Sequence, residues 1–419
     1  MPVTYRDLFI TFGRIGLLSF GGPAAQIALM QEELVVKKRW LDTDTFLRAL
    51  SFCMLLPGPE AMQLATYAGW RLRGIWGGLL AGGLFVLPGA GIIFALAALY
   101  LRYGTLPLVQ AAFLGIQATV IVVVVQALLR LSQKALGGLP DWAVAAMSFL
   151  GIFVVGLAFP VILILAAAFG AARASAHQSN VAPAPLTPTR PLVLFFWLVA
   201  WLAPIPVFWL SGADFLFDVA MLFAKLAVVT FGGAYSVLAY MTQQVVSDFG
   251  WLSTDQMIDA LGLAETTPGP LILVSQFVGT VAGAAEGGPW LGFLAGFVTL
   301  WVTFVPCFLW IFAGAPYLER LTSNARLAAA LKGITAAVVG VILNLSIWFA
   351  LHVLFDELRY AAFIWAELPV PVISTINWHA CALLAAAAFL LLVRKVPLPA
   401  TLLITAALGV LLNLMAPGA

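Results

Sequence analysis

Apolar positions in this chain come in long blocks rather than in narrow stripes. Residues 79–101, 108–129 and 143–172 are almost wholly apolar. A helix of about 20 such residues spans the ~30 Å hydrocarbon layer of a bilayer, so these blocks predict membrane helices. The short alternating segments of a membrane β-barrel are not the pattern here. Several apolar blocks are interrupted. Ser19-Phe20-Gly21-Gly22-Pro23 breaks the segment 5–30, and Pro57-Gly58-Pro59 breaks the segment 43–70. Similar residues recur late in the chain, at Thr230-Phe231-Gly232-Gly233 and Pro268-Gly269-Pro270.

The recurrence reflects a duplication. With an offset of 211, 17 of the 53 positions from Asp7 to Pro59 are identical in the second copy, including Asp7/Asp218, Phe20/Phe231, Trp40/Trp251 and both Pro-Gly-Pro triplets. Beyond Glu286 the offset becomes 218, which aligns Gly74/Gly292, Gly78/Gly296, Pro88/Pro306 and Gly115/Gly333. The glycine pairs four residues apart suit close helix packing. The expected organisation is a first repeat over 1–172, a linker and one connecting transmembrane helix over 173–213, and a second repeat over 214–419.

Charge gives the copies opposite orientations. Between Ile15 and Tyr100 the first copy carries Lys37, Lys38, Arg39, Arg48, Arg71 and Arg73; between Leu226 and Leu318 the second has no Lys or Arg. Lys37 is replaced by Asp248 and Arg48 by Asp259. Further on the bias reverses, with Arg102 alone in its loop against Arg320 and Arg326. Short cytoplasmic loops collect Lys and Arg, so equivalent loops are expected on opposite faces of the membrane. The segment 43–70 has basic residues on both flanks, which reads as a re-entrant hairpin with Pro57-Gly58-Pro59 at its tip. Each arm of about 12 residues reaches roughly 18 Å, too short to cross; a kinked full crossing is the alternative. The expected fold class is therefore an all-α polytopic membrane protein, with two inverted-topology repeats whose broken or re-entrant helices meet near the midplane.

Non-helical backbone at membrane depth is tolerated where protein, water or a ligand satisfies it. Secondary transporters place broken helices from inverted repeats around a midplane site, with half-helix N-termini directed at anionic groups. This predicts a substrate site from Arg14, Ser19, Phe20, Gly21, Gly22, Pro23, Pro57, Gly58 and Pro59, and from Lys225, Thr230, Phe231, Gly232, Gly233, Pro268, Gly269 and Pro270. Ser19 and Thr230 each offer a hydroxyl beside a break. Arg14 and Lys225 align; each either contacts an anion directly or, as Arg14 with Asp7, serves a structural pair or snorkels. With direct contact, loss of either cation abolishes transport. Glu60, Glu265, Asp7 and Asp218 are candidates for a coupling proton, Glu60 and Glu265 otherwise being solvated charges at a hairpin tip.

Other chemistry is not indicated. A net charge of +2 without a basic aromatic-rich run gives no reason to expect nucleic acid. Cys53, Cys307 and Cys381 read as buried apolar side chains, and His177, His352 and His379 form no ligand pattern, so neither metal nor cofactor is expected. No removable leader is read at the start. Phe195-Phe196-Trp197 reads as lipid-facing or interfacial.

The motifs FGRIGLLSFGGP (Phe12–Pro23), LPGPE (Leu56–Glu60), GIWGGLLAGGLFVLPG (Gly74–Gly89), TFGGAY (Thr230–Tyr235), TPGP (Thr267–Pro270) and FVP (Phe304–Pro306) resemble the chromate ion transporter family in its long, two-domain form. The resemblance implies export of chromate across the cytoplasmic membrane on the electrochemical gradient, with resistance as the outcome, and antiparallel halves. Gln26 stands where the motif leads one to expect a histidine. Chromate is a tetrahedral dianion shaped much like sulfate, and a sulfate or other oxyanion carrier is the nearest rival. A gradient-free channel and a membrane-embedded enzyme are further rivals; the enzyme lacks paired carboxylates, a metal cluster or a nucleophile with its base. Lipid is the expected surrounding, and the oligomeric state is left open, a homodimer included.

Overall fold

The computed structural model describes residues 3–174, 191–231, 233–318, 324–363 and 366–415. Gly232, His177, Arg320 and most of the 173–190 linker lie outside the described residues. The fold is helical apart from one antiparallel hairpin, β1 (Leu358–Phe363) with β2 (Ala366–Pro371), which the sequence pattern does not anticipate. Among the described residues, five helical segments are long and apolar enough to cross a membrane: Glu60–Tyr103, Pro107–Ala135, Leu271–Tyr317, Ala325–Leu354 and Leu398–Met415. A sixth is the connecting segment, α8 (Pro191–Leu202) and α9 (Pro204–Ser211) bent by 42°. The chain is thus an all-α polytopic membrane protein.

Both copies begin with the same local sequence of events. Helix α1 (Tyr5–Leu18) ends at Ser19, and α10 (Asp214–Val229) ends at Thr230. The Phe20 N–H donates to the Leu18 carbonyl and the Phe231 N–H to that of Val229, both at 2.9 Å. These are inverse γ-turns, a tight stop in which the chain leaves the helix. Short helices follow, α2 (Gly22–Gln31) and α11 (Ala234–Thr242), and each runs into a π-helical turn, Glu32–Lys37 and Gln243–Asp248. Next come α3 (Thr43–Cys53) and α12 (Thr254–Thr266), then the two Pro-Gly-Pro turns. Gly58 and Gly269 take φ of +113° and +96°, a region glycine enters without a Cβ clash.

Helices α4 (Glu60–Tyr103) and α13 (Val274–Gly314) are each folded back on themselves. Non-helical backbone at Arg73-Gly74 and at Gly287-Gly288 separates a short arm of 13 residues (60–72; 274–286) from a long one. In a continuous helix, residues eight apart lie about 12 Å apart. Here a methyl group at Gly69 would overlap the Gly77 carbonyl oxygen, one at Gly82 would overlap the Thr66 hydroxyl, and one at Gly296 the Thr280 hydroxyl. The arms are therefore antiparallel and in backbone contact. Gly78 and Gly292, read from sequence as packing glycines, sit in these seams. A short arm is about 20 Å long, too short to cross, while the long arms keep the length to do so.

The chain forms two compact units, each drawing segments from both copies. The first comprises residues 1–97, 173–237 and 267–331. In it α10 and α8 pack on α13, with Trp201 Nε1 donating to the Val302 carbonyl at 2.8 Å and Trp301 Nε1 to that of Ala200 at 2.7 Å. Phe195 and Phe196 are exposed, whereas Trp197 stacks on Phe308 and lies tilted against Phe312 of α13, so only part of that aromatic run faces outward. Cys53 and Cys307 are free and buried.

The second unit comprises residues 98–172, 238–266 and 332–419. Helix α5 (Pro107–Ala135) packs against α15 (Trp378–Ala388) and α16 (Leu398–Met415). Gly115 and Gly409 lie against opposite backbones, and the Thr119 and Thr405 hydroxyls bond at 2.8 Å. Helix α14 (Ala325–Leu354) lies against α6 (Leu139–Phe153) and α7 (Phe159–Ala172), where Gly333 and Gly340 meet the carbonyls of Ala166 and Ala145. Gly115 and Gly333 are sequence equivalents, and each lets a long helix of one copy approach the terminal helix pair of the other. Lys332 and the largely buried Asp141 form an ion pair of 2.9 Å across the α14–α6 seam.

Candidate functional site

The breaks and the Pro-Gly-Pro turns meet inside the first unit, and they meet crosswise. The Gly58 N–H donates to the Thr230 carbonyl at 2.8 Å, and the Gly269 N–H donates to the Ser19 carbonyl at 2.9 Å. Each copy's helix break is thus held by the other copy's turn.

Between them lies a cavity of about 20 Å³, lined by Pro23 and Gln26 of α2, Gly58, Pro59, Glu60 and Ala61 at the start of α4, Thr230 and Gly233 at the second break, and Pro270, Leu271 and Ile272 leading into α13. Four helices, α2, α4, α11 and α13, begin at this cavity or one short turn from it. Each helix N-terminus carries roughly half a positive charge and N–H groups without intrahelical acceptors. That of α2 receives no side-chain cap, and Gly21 before it and Gly22 at its first position take φ of +85° and +77°. One water needs about 10–15 Å³ of such space, so the cavity must widen before it takes a tetrahedral oxyanion.

Ser19 and Thr230 are 1% and 2% exposed, and their hydroxyls donate back to the Ile15 and Leu226 carbonyls, each at 2.6 Å. The hydroxyl protons anticipated for a ligand are therefore engaged in closing the helix ends. Phe20 and Phe231 are half-buried beside the breaks, and Pro57, Pro268, Gly269 and Pro270 shape the turns. Gly21 and Gly22 form the entry to α2, while Gly232 is not among the described residues.

Arg14 and Lys225 do not line the cavity. The Arg14 side chain is 61% exposed, and its partner is Glu33 at 3.7 Å, not Asp7. Glu33 is buried and also receives Lys37 at 3.0 Å. Asp7 closes a capping box with Thr4 at the start of α1, a local contact three residues away that outcompetes an arginine two turns along. Lys225 projects from an exposed position of α10. Of the four acids, Glu60 lines the cavity, Glu265 is buried in the last turn of α12, and Asp218 is half-buried on α10.

Three glutamines carry connections beyond sequence reading. Gln26, 2% exposed, donates Nε2 to the Gly269 carbonyl at 2.7 Å and to the Ser19 carbonyl at 3.2 Å, stitching the first break to the second turn. Its amide does this without titrating, where a histidine would titrate. Gln63 donates to the Pro57 carbonyl at 2.7 Å and fixes the first turn, and Gln276 donates to the Ala90 carbonyl at 3.0 Å. Only Gln26 was visible in advance, as a departure from the motif; Gln63 and Gln276 sit in apolar arms where the sequence shows polarity but not a partner.

Residues 6–171 and 217–410 match the chromate transporter family. A chromate transport protein of Pseudomonas aeruginosa is 35% identical over 81% of this chain and 80% of its own. One of Cupriavidus metallidurans is 29% identical over 84% of each. The uncharacterized transporter YwrB of Bacillus subtilis is 32% identical over 36% of this chain and 76% of its own, so it is about half as long. No solved structure matches. With its two matched regions covering most of its length, this chain belongs to the chromate transporter family.

Proposed function

We propose that this chain is a secondary transporter that carries chromate, a tetrahedral dianion, out across the cytoplasmic membrane and so confers chromate resistance. The observation that carries this reading is the convergence of four helix N-termini on one cavity with broken-helix walls. Fixed N–H dipoles in a low-dielectric setting favour an anion without a permanent counter-charge, and a site built from backbone can change shape as its helices move. The repeats 1–172 and 214–419 are taken as inverted copies, joined by 173–213. The reversed Lys and Arg distribution and the existence of a half-length relative support that arrangement. An inside-negative potential assists dianion efflux by about 4.6 kcal/mol per 100 mV, twice the single-charge value of ~2.3.

The cavity walls are the substrate site: Pro23, Gln26, Gly58 to Ala61, Thr230, Gly233 and Pro270 to Ile272. Glu60 is the acidic side chain among them and repels a dianion when ionised. Arg14 and Lys225 act outside the cavity. The test is labelled chromate uptake into inverted vesicles, with the pH gradient and the potential imposed separately and sulfate as competitor. Saturable uptake that responds to either gradient and resists excess sulfate is the expected result. Unsaturable flux with a reversal potential set by chromate alone would make it a channel, and full competition by sulfate would make it a general oxyanion carrier.

A further inference from the structure

The second unit holds a half-open polar cavity of about 720 Å³ that the anion site does not use. It is lined by Tyr100 and Gln117 from the first copy and, around Asp259, by polar side chains from the second. Asp259 is only 8% exposed. Its two carboxyl oxygens receive hydrogen bonds from different elements, Tyr100 Oη at 2.8 Å and Gln117 Nε2 at 2.7 Å. It pairs with no cation among the described residues. Its counterpart in the first copy, Arg48, is exposed and bound to Asp44 at 3.1 Å, so the charge reverses between the copies here.

A carboxyl group in such a place has one inexpensive way to change charge, which is to take or release a proton. Both of its partners are donors, which suits a carboxylate or a carboxylic acid but offers no cage of oxygens to a sodium ion. The titratable groups that share the cavity are Asp255 one turn earlier on α12, Tyr100 of α4, His352 of α14, Asp356 just after it, and His379 of α15. Helix α12 has 13 residues and does not span. Burial pushes the Asp259 carboxyl up to about 6, against the pull of its two donors. That lies near neutrality, where a proton carrier can both load and unload.

We infer that Asp259, held by Tyr100 and Gln117 in the polar cavity of the second unit, is the proton-binding site that couples anion transport to the pH gradient. The inference rests on the transport reading above and assigns its coupling ion and residue. The proton moves between water in the cavity and one Asp259 carboxyl oxygen; no bond other than O–H forms or breaks.

The test uses the full chain in proteoliposomes with the potential clamped at zero and labelled chromate. Counterflow against unlabelled chromate needs no net proton movement, whereas accumulation on an imposed pH gradient does. Asp259→Asn should retain counterflow within about threefold of wild type and lose pH-driven accumulation at least tenfold. Tyr100→Phe and Gln117→Leu each remove a donor to the carboxylate, so each should move the midpoint of pH-driven accumulation to higher pH. Wild-type accumulation by Asp259→Asn overturns the inference. If that variant does not reach the membrane, the other two decide: a shifted midpoint upholds the inference and an unmoved one overturns it. Absence of counterflow in the wild-type chain is a different result, and removes the transport reading itself.

Discussion

Gly269 and Ser19, 250 positions apart, are joined by a single backbone hydrogen bond of 2.9 Å, and Gly58 and Thr230 repeat the bond at 2.8 Å with the copies exchanged. This crosswise pairing explains why the apolar segments are broken by the same residues twice. The carbonyl freed by each γ-turn needs a donor inside the protein, and the glycine between two prolines of the other copy supplies it. Proline on either side removes competing donors and fixes the chain on both flanks.

Gly58→Val and Gly269→Val should each disable the site. Both positions are left-handed, which costs a residue with a side chain roughly 1–2 kcal/mol. A Cβ at Gly58 would also press on Gln63 Nε2 at 2.9 Å and Cys307 Sγ at 3.1 Å, and one at Gly269 on Leu273 Cδ1 at 3.1 Å. Chromate transport by the reconstituted variants is expected to fall about tenfold or more, since ~1.4 kcal/mol is a factor of ten. Near-normal rates in both would show that the turns are not part of the site.

Gln26→Leu should loosen the same junction. It removes two hydrogen bonds, each worth about 0.5–1.5 kcal/mol, and leaves the Gly269 carbonyl, in buried surroundings, one donor short. A lower unfolding temperature in detergent and slower transport are expected together. Unchanged stability with lost transport would mean that the amide serves the substrate and not the junction.

Glu60→Gln should strengthen chromate binding. Glu60 lines the cavity, and an ionised carboxylate there repels a dianion a few ångströms away. Its loss lowers the apparent Kd in equilibrium binding, with the effect largest at low salt. A weaker Kd would mean that Glu60 orders the helix start rather than opposing the anion.

Much of this was legible along the chain. The apolar blocks gave the membrane class, and the recurring Gly-Gly and Pro-Gly-Pro elements marked the breaks that the fold brings together. What sequence could not supply were partners far apart in the chain. Arg14 looked like a site cation because an isolated charge in an apolar run calls for a partner; that partner, Glu33, is reached only after the chain turns at Ser19. The reversals at Arg73-Gly74 and Gly287-Gly288 were hidden because glycine inside an apolar helix reads equally as packing or as a turn. Asp259 was visible as a reversal of charge against Arg48, and read as a sign of orientation, but its burial depends on Tyr100 and Gln117 from the other copy.

The proposed inverted arrangement of the copies has its own consequence. Single cysteines at Lys38 and at Phe249, exposed and equivalent after the two π-helical turns, in a chain with Cys53, Cys307 and Cys381 replaced, should react with an impermeant maleimide from opposite faces. Lys38→Cys should label in inside-out vesicles and Phe249→Cys in right-side-out ones. Labelling from one face alone would make the copies parallel.

The most direct measurement is equilibrium binding of labelled chromate to the purified chain, comparing wild type with Gly58→Val, Gly269→Val and Arg14→Gln. One saturable site per chain is expected, weakened about tenfold or more by either glycine substitution and less than threefold by the arginine one. Binding untouched by both glycine changes and abolished by loss of Arg14 would contradict the account.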